Sequence, residues 1–178
     1  MAAATLTVTA VGVIAIGFAE VARPAWRLAY NPSLSAPRGF YLLAPLARGV
    51  GASDVEGVSS VGSRGDAVLA WPPAAAAHLA DHRHYVPLGV PLLKSVSAVF
   101  RDRVCRLGPA VTINGRFVAI ARSADRADRL LPVWQGCRRL GRDELFLLGA
   151  SPASFDSRYF GPVDQSMLIA RATPLWTW

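Results

Sequence analysis

Charged side chains are scarce in this sequence: they make up 17% of 178 residues, against 52% apolar. That balance excludes a disordered chain and supplies ample material for a packed core. Cysteine occurs twice, which excludes a disulfide-dense miniprotein and a four-cysteine zinc site. Lysine occurs once, at Lys94; the rest of the 19 basic residues are arginine. Histidine is limited to His78, His82 and His84, with Asp81 among them. His78 and His82 share a face only if a helix runs through Asp81, and no nearby Cys or Glu completes a ligand set, so no metal is expected. No internal repeat is visible. The 13 Pro and 15 Gly have no period, which excludes collagen and argues against a helical bundle. The net charge of +7 admits anionic lipid or nucleic acid without selecting either.

What is present divides the chain at about residue 24. Met1 to Ala19 carry no charge, and Glu20 is the first acid. As a helix, that stretch spans roughly 28 Å, close to the hydrocarbon thickness of a bilayer. Arg23, Trp26, Arg27 and Tyr30 follow as an interfacial belt. Two readings compete with a membrane anchor: a cleavable signal peptide, which would begin with a basic region that is missing, and a buried helix of a soluble domain. Residues 1–23 are therefore expected to be an uncleaved membrane anchor, with residues 24–178 as the body. The arginines after the span would, by the positive-inside rule, keep that body in the cytoplasm.

The body alternates short apolar runs with turn signals, without a long 3.6-residue period. Strands are expected at 40–43, 67–70, 92–100, 111–113, 117–119, 145–148 and 167–170, and one helix at 73–80. Asn114-Gly115 predicts a type I′ hairpin. Residues 44–64 read as a loop or a mobile surface strand. The fold class is mainly β with an amino-terminal helix.

Three segments carry candidate chemistry. In Leu92-Leu93-Lys94-Ser95-Val96, strand alternation puts Leu92, Lys94 and Val96 on one face. If that face is the core, lost hydration lowers the lysine pKa toward that of a general base; on an edge it would remain an ordinary cation. In the strip from Asn31 to Tyr41, Ser33 and Ser35 lie between Pro and Gly, which force an irregular turn. A serine needs a base within hydrogen-bond reach to attack. In the strip from Gly149 to Val163, Asp156 and Arg158 can pair across a turn.

Taken in order, these segments resemble the boxes of the type I signal peptidases, the serine–lysine endopeptidases of family S26, and in particular their TraF-type conjugative transfer branch. The likeness rests on Ser35-Ala36-Pro37, on the continuation Pro37-Arg38-Gly39-Phe40-Tyr41, on Arg64-Gly65-Asp66, on Leu92-Leu93-Lys94, and on Ser154 to Val163. It covers about residues 31–170. It implies a signal-peptidase-like β-sheet domain behind one transmembrane helix, with Ser35 as nucleophile and Lys94 as base. Ser33 would join the Ser35 N–H in the oxyanion hole, Ser154 would orient the lysine, and Asp156, Ser157 and Arg158 would support the site. Three departures point away from housekeeping presequence removal: Gly149-Ala150-Ser151-Pro152 replaces a Gly-Asp-Asn-Arg run, Ser95 replaces an Arg, and Arg101-Asp102 replaces a Gly-Asp.

The resemblance also implies a single-pass inner-membrane protein with a periplasmic body, against the charge rule. In that oxidising compartment Cys105 and Cys137 are expected to form a disulfide. The implied partners are a pilin-like precursor, the inner membrane and other components of the conjugation apparatus. No nucleic acid and no cofactor are expected. Small apolar pockets would favour residues such as Ala at the cleavage point, and a substrate amine can replace water and close a cyclic product. Two other classes compete. One is a LexA-like self-cleaving regulator, which would need a DNA-binding helix-turn-helix where residues 1–23 are too apolar for one. The other is a non-enzymatic basic membrane component of the transfer apparatus, which leaves the coincidence of boxes unexplained.

Overall fold

Strand alternation sets which face of the larger sheet is buried. In Leu92–Ala98, every second residue, beginning with Leu92, is buried. The computed structural model describes residues 27–46 and 62–178, and within them the chain is mainly β. The expected anchor at 1–23 lies outside these residues, as does most of the 44–64 segment. Among the described residues, no helix is long and apolar enough to cross a membrane.

The strands are β1 (Arg27–Asn31), β2 (Gly39–Pro45), β3 (Ala67–Ala70), β4 (Leu92–Ala98), β5 (Arg103–Leu107), β6 (Ala110–Ile113), β7 (Arg116–Ile120), β8 (Gly136–Arg139), β9 (Glu144–Leu148), β10 (Val163–Asp164) and β11 (Leu168–Thr177). The helices are α1 (Ala74–His82) and the single turn α2 (Ser157–Phe160). A seven-stranded sheet runs β1-β2-β11-β3-β4-β9-β10, and a four-stranded sheet runs β7-β6-β5-β8. All pairs are antiparallel.

Most expected strands appear, with shifted ends. β4 stops at Ala98 rather than Phe100, and β11 runs on to Thr177. Strands β1, β5, β8 and β10 were not expected. β8 reads Gly-Cys-Arg-Arg and β5 reads Arg-Val-Cys-Arg-Leu, so neither offers clean apolar alternation. Asn114 and Gly115 both have positive φ, 51° and 80°, as a type I′ turn between β6 and β7 requires.

One core cluster, with Val104, Val111, Phe146 and Tyr159, includes residues of both sheets. A second, with Val68, Val96, Leu145 and Leu168, belongs to the larger sheet. Asp102 joins the parts: it accepts from Arg64 at 2.6 and 2.7 Å, from the Asn114 amide at 2.7 Å and from the Val99 N–H at 2.8 Å. Burial would raise its pKa, but these donors hold it below the usual carboxylate value. The Arg64-Gly65-Asp66 and Arg101-Asp102 boxes are therefore two sides of one brace. Asp66 points elsewhere, to Arg171 at 2.8 Å.

Candidate active site

The loop 32–38 closes the β1–β2 hairpin and is built around Asn31. The Asn31 side-chain nitrogen donates to the carbonyls of Ser33, Ala36 and Pro37, each at 3.1 Å. Its oxygen accepts the Ser33 N–H at 3.1 Å and the Ser33 hydroxyl at 2.8 Å. A buried amide saturated within one loop fixes that loop's shape. Gly39 permits the return: its φ is +141°, and a Cβ there would fall 2.0 Å from the Trp176 carbonyl oxygen. Buried Tyr41 reaches back to the Pro37 carbonyl at 2.7 Å. The Pro-x-Gly-x-Tyr run thus shapes the loop that presents Ser35.

Lys94 lies on β4 inside the larger sheet, between β3 and β9, and is 3% exposed. It is a core-facing residue, not an edge cation. Its Nζ donates to Ser154 Oγ at 2.6 Å and lies 3.0 Å from Ser35 Oγ. Burial pushes its pKa down from 10.5 to about 8; the Asp156 carboxylate opposes the fall and the Arg158 guanidinium adds to it.

The strip after β9 supplies the third side. A Cβ on Gly149 would fall 2.1 Å from Ser154 Oγ and 3.2 Å from the Ser35 carbonyl oxygen. The next residue, Ala150, donates its N–H to that same oxygen at 2.8 Å. Asp156 is fully buried and caps α2, accepting the Arg158 N–H at 3.1 Å and the Gly149 N–H at 2.8 Å. Arg158 meets Asp156 with both Nε, at 2.8 Å, and Nη2, at 2.9 Å, and gives a third bond to the Gly149 carbonyl at 3.0 Å. The ion pair therefore grips Gly149 by both its N–H and its C=O. Ser157 does not touch Lys94; its hydroxyl accepts the Leu147 N–H at 3.0 Å and pins the strip to β9.

Two supports were not singled out in the sequence. Arg106, 2% exposed, has no carboxylate partner among the described residues; its Nη1 donates to the Arg158 carbonyl at 2.8 Å and the Pro132 carbonyl at 3.1 Å. Trp134 donates its indole N–H to the Ser157 carbonyl at 3.1 Å. Consecutive carbonyls of α2 are thus held from the smaller sheet's side. Next to Arg106, Cys105 is bonded to Cys137, its direct partner across β5 and β8.

Ser35 opens onto a cleft of about 870 Å³ lined by Leu43, Leu69, Leu93 and Tyr41, among others. A serine hydroxyl within hydrogen-bond reach of an amine with a loosened proton suits base-assisted nucleophilic attack. Ser33 stands beside Ser35 but not as a free donor: it accepts the Ser35 N–H at 3.3 Å and spends its own proton on Asn31. Among the described residues, no group of three His, Cys, Asp or Glu is placed to hold a metal ion. Of the histidines only His84 lines the cleft.

This constellation lies within a chain whose residues 1–178 match the family model described as signal peptidase, peptidase S26, and the chain belongs to that family. Its relatives include the plasmid transfer protein TraF of Escherichia coli, 35% identical over 91 residues, covering 49% of this chain and 51% of that protein. The chain therefore matches only about half the length of that relative. The conjugal transfer protein TraF of Agrobacterium tumefaciens (strain 15955) is 37% identical, covering 64% of this chain and 68% of the relative. A probable conjugal transfer protein TraF of Sinorhizobium fredii (strain NBRC 101917 / NGR234) is 30% identical over 98% of this chain and 87% of its own length.

Proposed function

We propose that the protein is a serine endopeptidase with a Ser35–Lys94 dyad that processes an exported pilin-like precursor during conjugative transfer. The observation that carries this reading is the 3.0 Å approach of Ser35 Oγ to a buried lysine amine at the wall of an open cleft. Neutral Lys94 takes the Ser35 proton as Oγ attacks the scissile carbonyl. The Ser35 N–H turns from Ser33 to the new oxyanion, and the Ser33 hydroxyl follows by releasing Asn31. Lys94 then returns the proton to the leaving amine, which departs and leaves an acyl-enzyme. Water, deprotonated by the same amine, releases the acid; a substrate amine in its place closes a cyclic product. Ser154 orients the Lys94 amine, and the Asp156–Arg158 pair fixes Gly149 and so the Ser35 carbonyl. The apolar lining suits small side chains near the cleavage point.

The exposed side chains around the serine loop fit a body held at a membrane by residues 1–23, with the site on the periplasmic face of the inner membrane. Tyr30, Leu34, Trp176 and Trp178 are all more than half exposed. Tyr30 lies against both Phe40 and Trp178. Aromatic residues favour the membrane interface. Co-expression with a pilin precursor tests the reading: wild type converts the precursor and Ser35→Ala, equally folded, does not. Normal processing by Ser35→Ala refutes the dyad.

A further inference from the structure

Charge in the cleft is one-sided. Beside Lys94 its lining includes Arg38, Arg122, Arg126 and Arg129, against a single carboxylate among the described residues, Asp125. That carboxylate is consumed within the protein. It accepts the Tyr85 hydroxyl, Arg129 Nε at 2.8 Å, and the N–H groups of Ala127 and Arg129 at 2.9 and 3.0 Å. These donors, the Tyr85 hydroxyl first, hold its pKa well below the usual carboxylate value. Arg129 is thereby neutralised, while Arg38, Arg122 and Arg126 have no carboxylate partner among the described residues.

Exposed arginines are common in an arginine-rich chain, so exposure alone means little. Fixation distinguishes these. The segment bearing Arg122 and Arg126 is tied to itself by the Ala124–Leu130 bridge and by the Leu131 N–H to the Ser123 carbonyl at 2.9 Å. It is tied to residues 83–85 by Tyr85–Asp125 and by Arg83 Nη1 to the Leu130 carbonyl at 2.9 Å. It is tied to the catalytic strip where the Arg122 N–H meets the Tyr159 hydroxyl at 3.1 Å. Tyr159 directly follows Arg158 on α2. The backbone that carries Arg122 and Arg126 is thus pinned beside the strip that holds Ser154, and both side chains line the cleft. A cleft with apolar walls focuses the field of such charges, and a guanidinium fork matches a carboxylate.

We infer that the substrate places a carboxylate in this cleft, where Arg122 and Arg126 receive it. The inference rests on the peptidase reading above and adds a chemical class to the substrate: a small residue at the cut with an acidic group in the cleft. Arg38, beside the serine loop, extends the same positive lining. Because the arginines are exposed, the pairing is worth no more than roughly ten-fold in kcat/KM, and it weakens with salt.

The test uses the full chain and synthetic peptides with Ala at the cleavage point. Glu, Gln or Lys is walked through the flanking positions of C-terminally amidated peptides, and a parallel free-acid Gln set presents only the terminal carboxylate. The expected result is a position where Glu exceeds Gln about ten-fold in kcat/KM and Lys falls below both, with the advantage shrinking between 50 and 500 mM salt, over which the Debye length falls to about a third. Arg122→Glu/Arg126→Glu should abolish or invert that order. An advantage confined to the free-acid peptides supports the inference with the chain terminus as the source of the carboxylate. Binding of the same peptides to Ser35→Ala, read by fluorescence anisotropy, separates the two readings. Tighter binding of acidic peptides without hydrolysis by the wild type would refute the peptidase and keep the carboxylate site. Hydrolysis and binding both indifferent to Glu, Gln and terminal acid, or an acidic preference that survives Arg122→Glu/Arg126→Glu, would overturn the carboxylate site.

Discussion

The larger sheet holds its reacting group by burial, whereas the smaller sheet supports the site from behind by cross-links. On β4 the lysine lies opposite Val68 and on the same buried face as Val96, and its burial lowers its pKa. The smaller sheet is less uniform: β5 buries Val104, Cys105 and Arg106, but its partner β8 is a short, mostly exposed strand, and Arg103 lies directly opposite Arg139. Like charges facing across strands oppose pairing. The Cys105–Cys137 bond holds these strands together regardless, and through Arg106 and Trp134 the same region grips α2. Burial thus tunes the base, and covalent and hydrogen-bonded bracing positions the groups around it.

The largest effect should come from the buried side. Lys94→Arg and Lys94→Ala are each expected to lower kcat by on the order of 10³-fold or more, because arginine keeps its proton at working pH. Lys94→Met, equally inactive, should be more stable by roughly 3 kcal/mol near neutral pH, the cost of holding a proton on an amine whose pKa falls from 10.5 to about 8. The sign follows from linkage: between about pH 8 and 10.5 the unfolded chain binds more protons, so stability rises with pH across that window and the penalty is complete below it. Chemical denaturation at pH 7 and pH 10 measures both. An unchanged stability in Lys94→Met would mean that the amine is not desolvated.

Gly149→Ala comes next. Its Cβ collides with Ser154 Oγ and crowds the Ser35 carbonyl, so kcat should fall about 10²-fold and stability by about 1–3 kcal/mol. Steady-state kinetics with a melting curve checks this.

The bracing side should respond differently. Cys105→Ser/Cys137→Ser opens a link across 32 residues and should cost about 2–4 kcal/mol of stability. Well below its melting temperature the variant should lose only several-fold in kcat. A loss as deep as that of Lys94→Ala would erase the distinction between the two sheets. Trp134→Phe is the smallest cut: it keeps the ring against Phe146 and removes one N–H from the Ser157 carbonyl. About 1 kcal/mol of stability and a few-fold drop in kcat at unchanged KM are expected.

The same contrast explains what the sequence could reveal. Leu92, Lys94 and Val96 are readable because strand alternation is local, and Asn114-Gly115 because its turn demands positive φ at adjacent residues. The boxes around Ser35 and Ser154–Arg158 are readable as patterns. Asn31 is not readable as the organiser of the serine loop, because its five bonds depend on the folded turn. Arg106 is hidden for a stronger reason: a buried guanidinium satisfied by carbonyls from residues 108, 132 and 158 leaves no local signal. The Tyr85–Asp125–Arg129 knot joins segments some 40 residues apart. For Ser33 the sequence suggests an oxyanion donor but not that Asn31 accepts its proton in the folded loop.

Because Lys94 is the only lysine, its titration tests the central claim most directly. In protein labelled with ¹³C at the lysine ε carbon, the resonance should titrate near pH 8, and kcat/KM should rise through the same midpoint as the amine loses its proton. A lysine that titrates near its ordinary 10.5, with activity indifferent to that transition, would contradict the account.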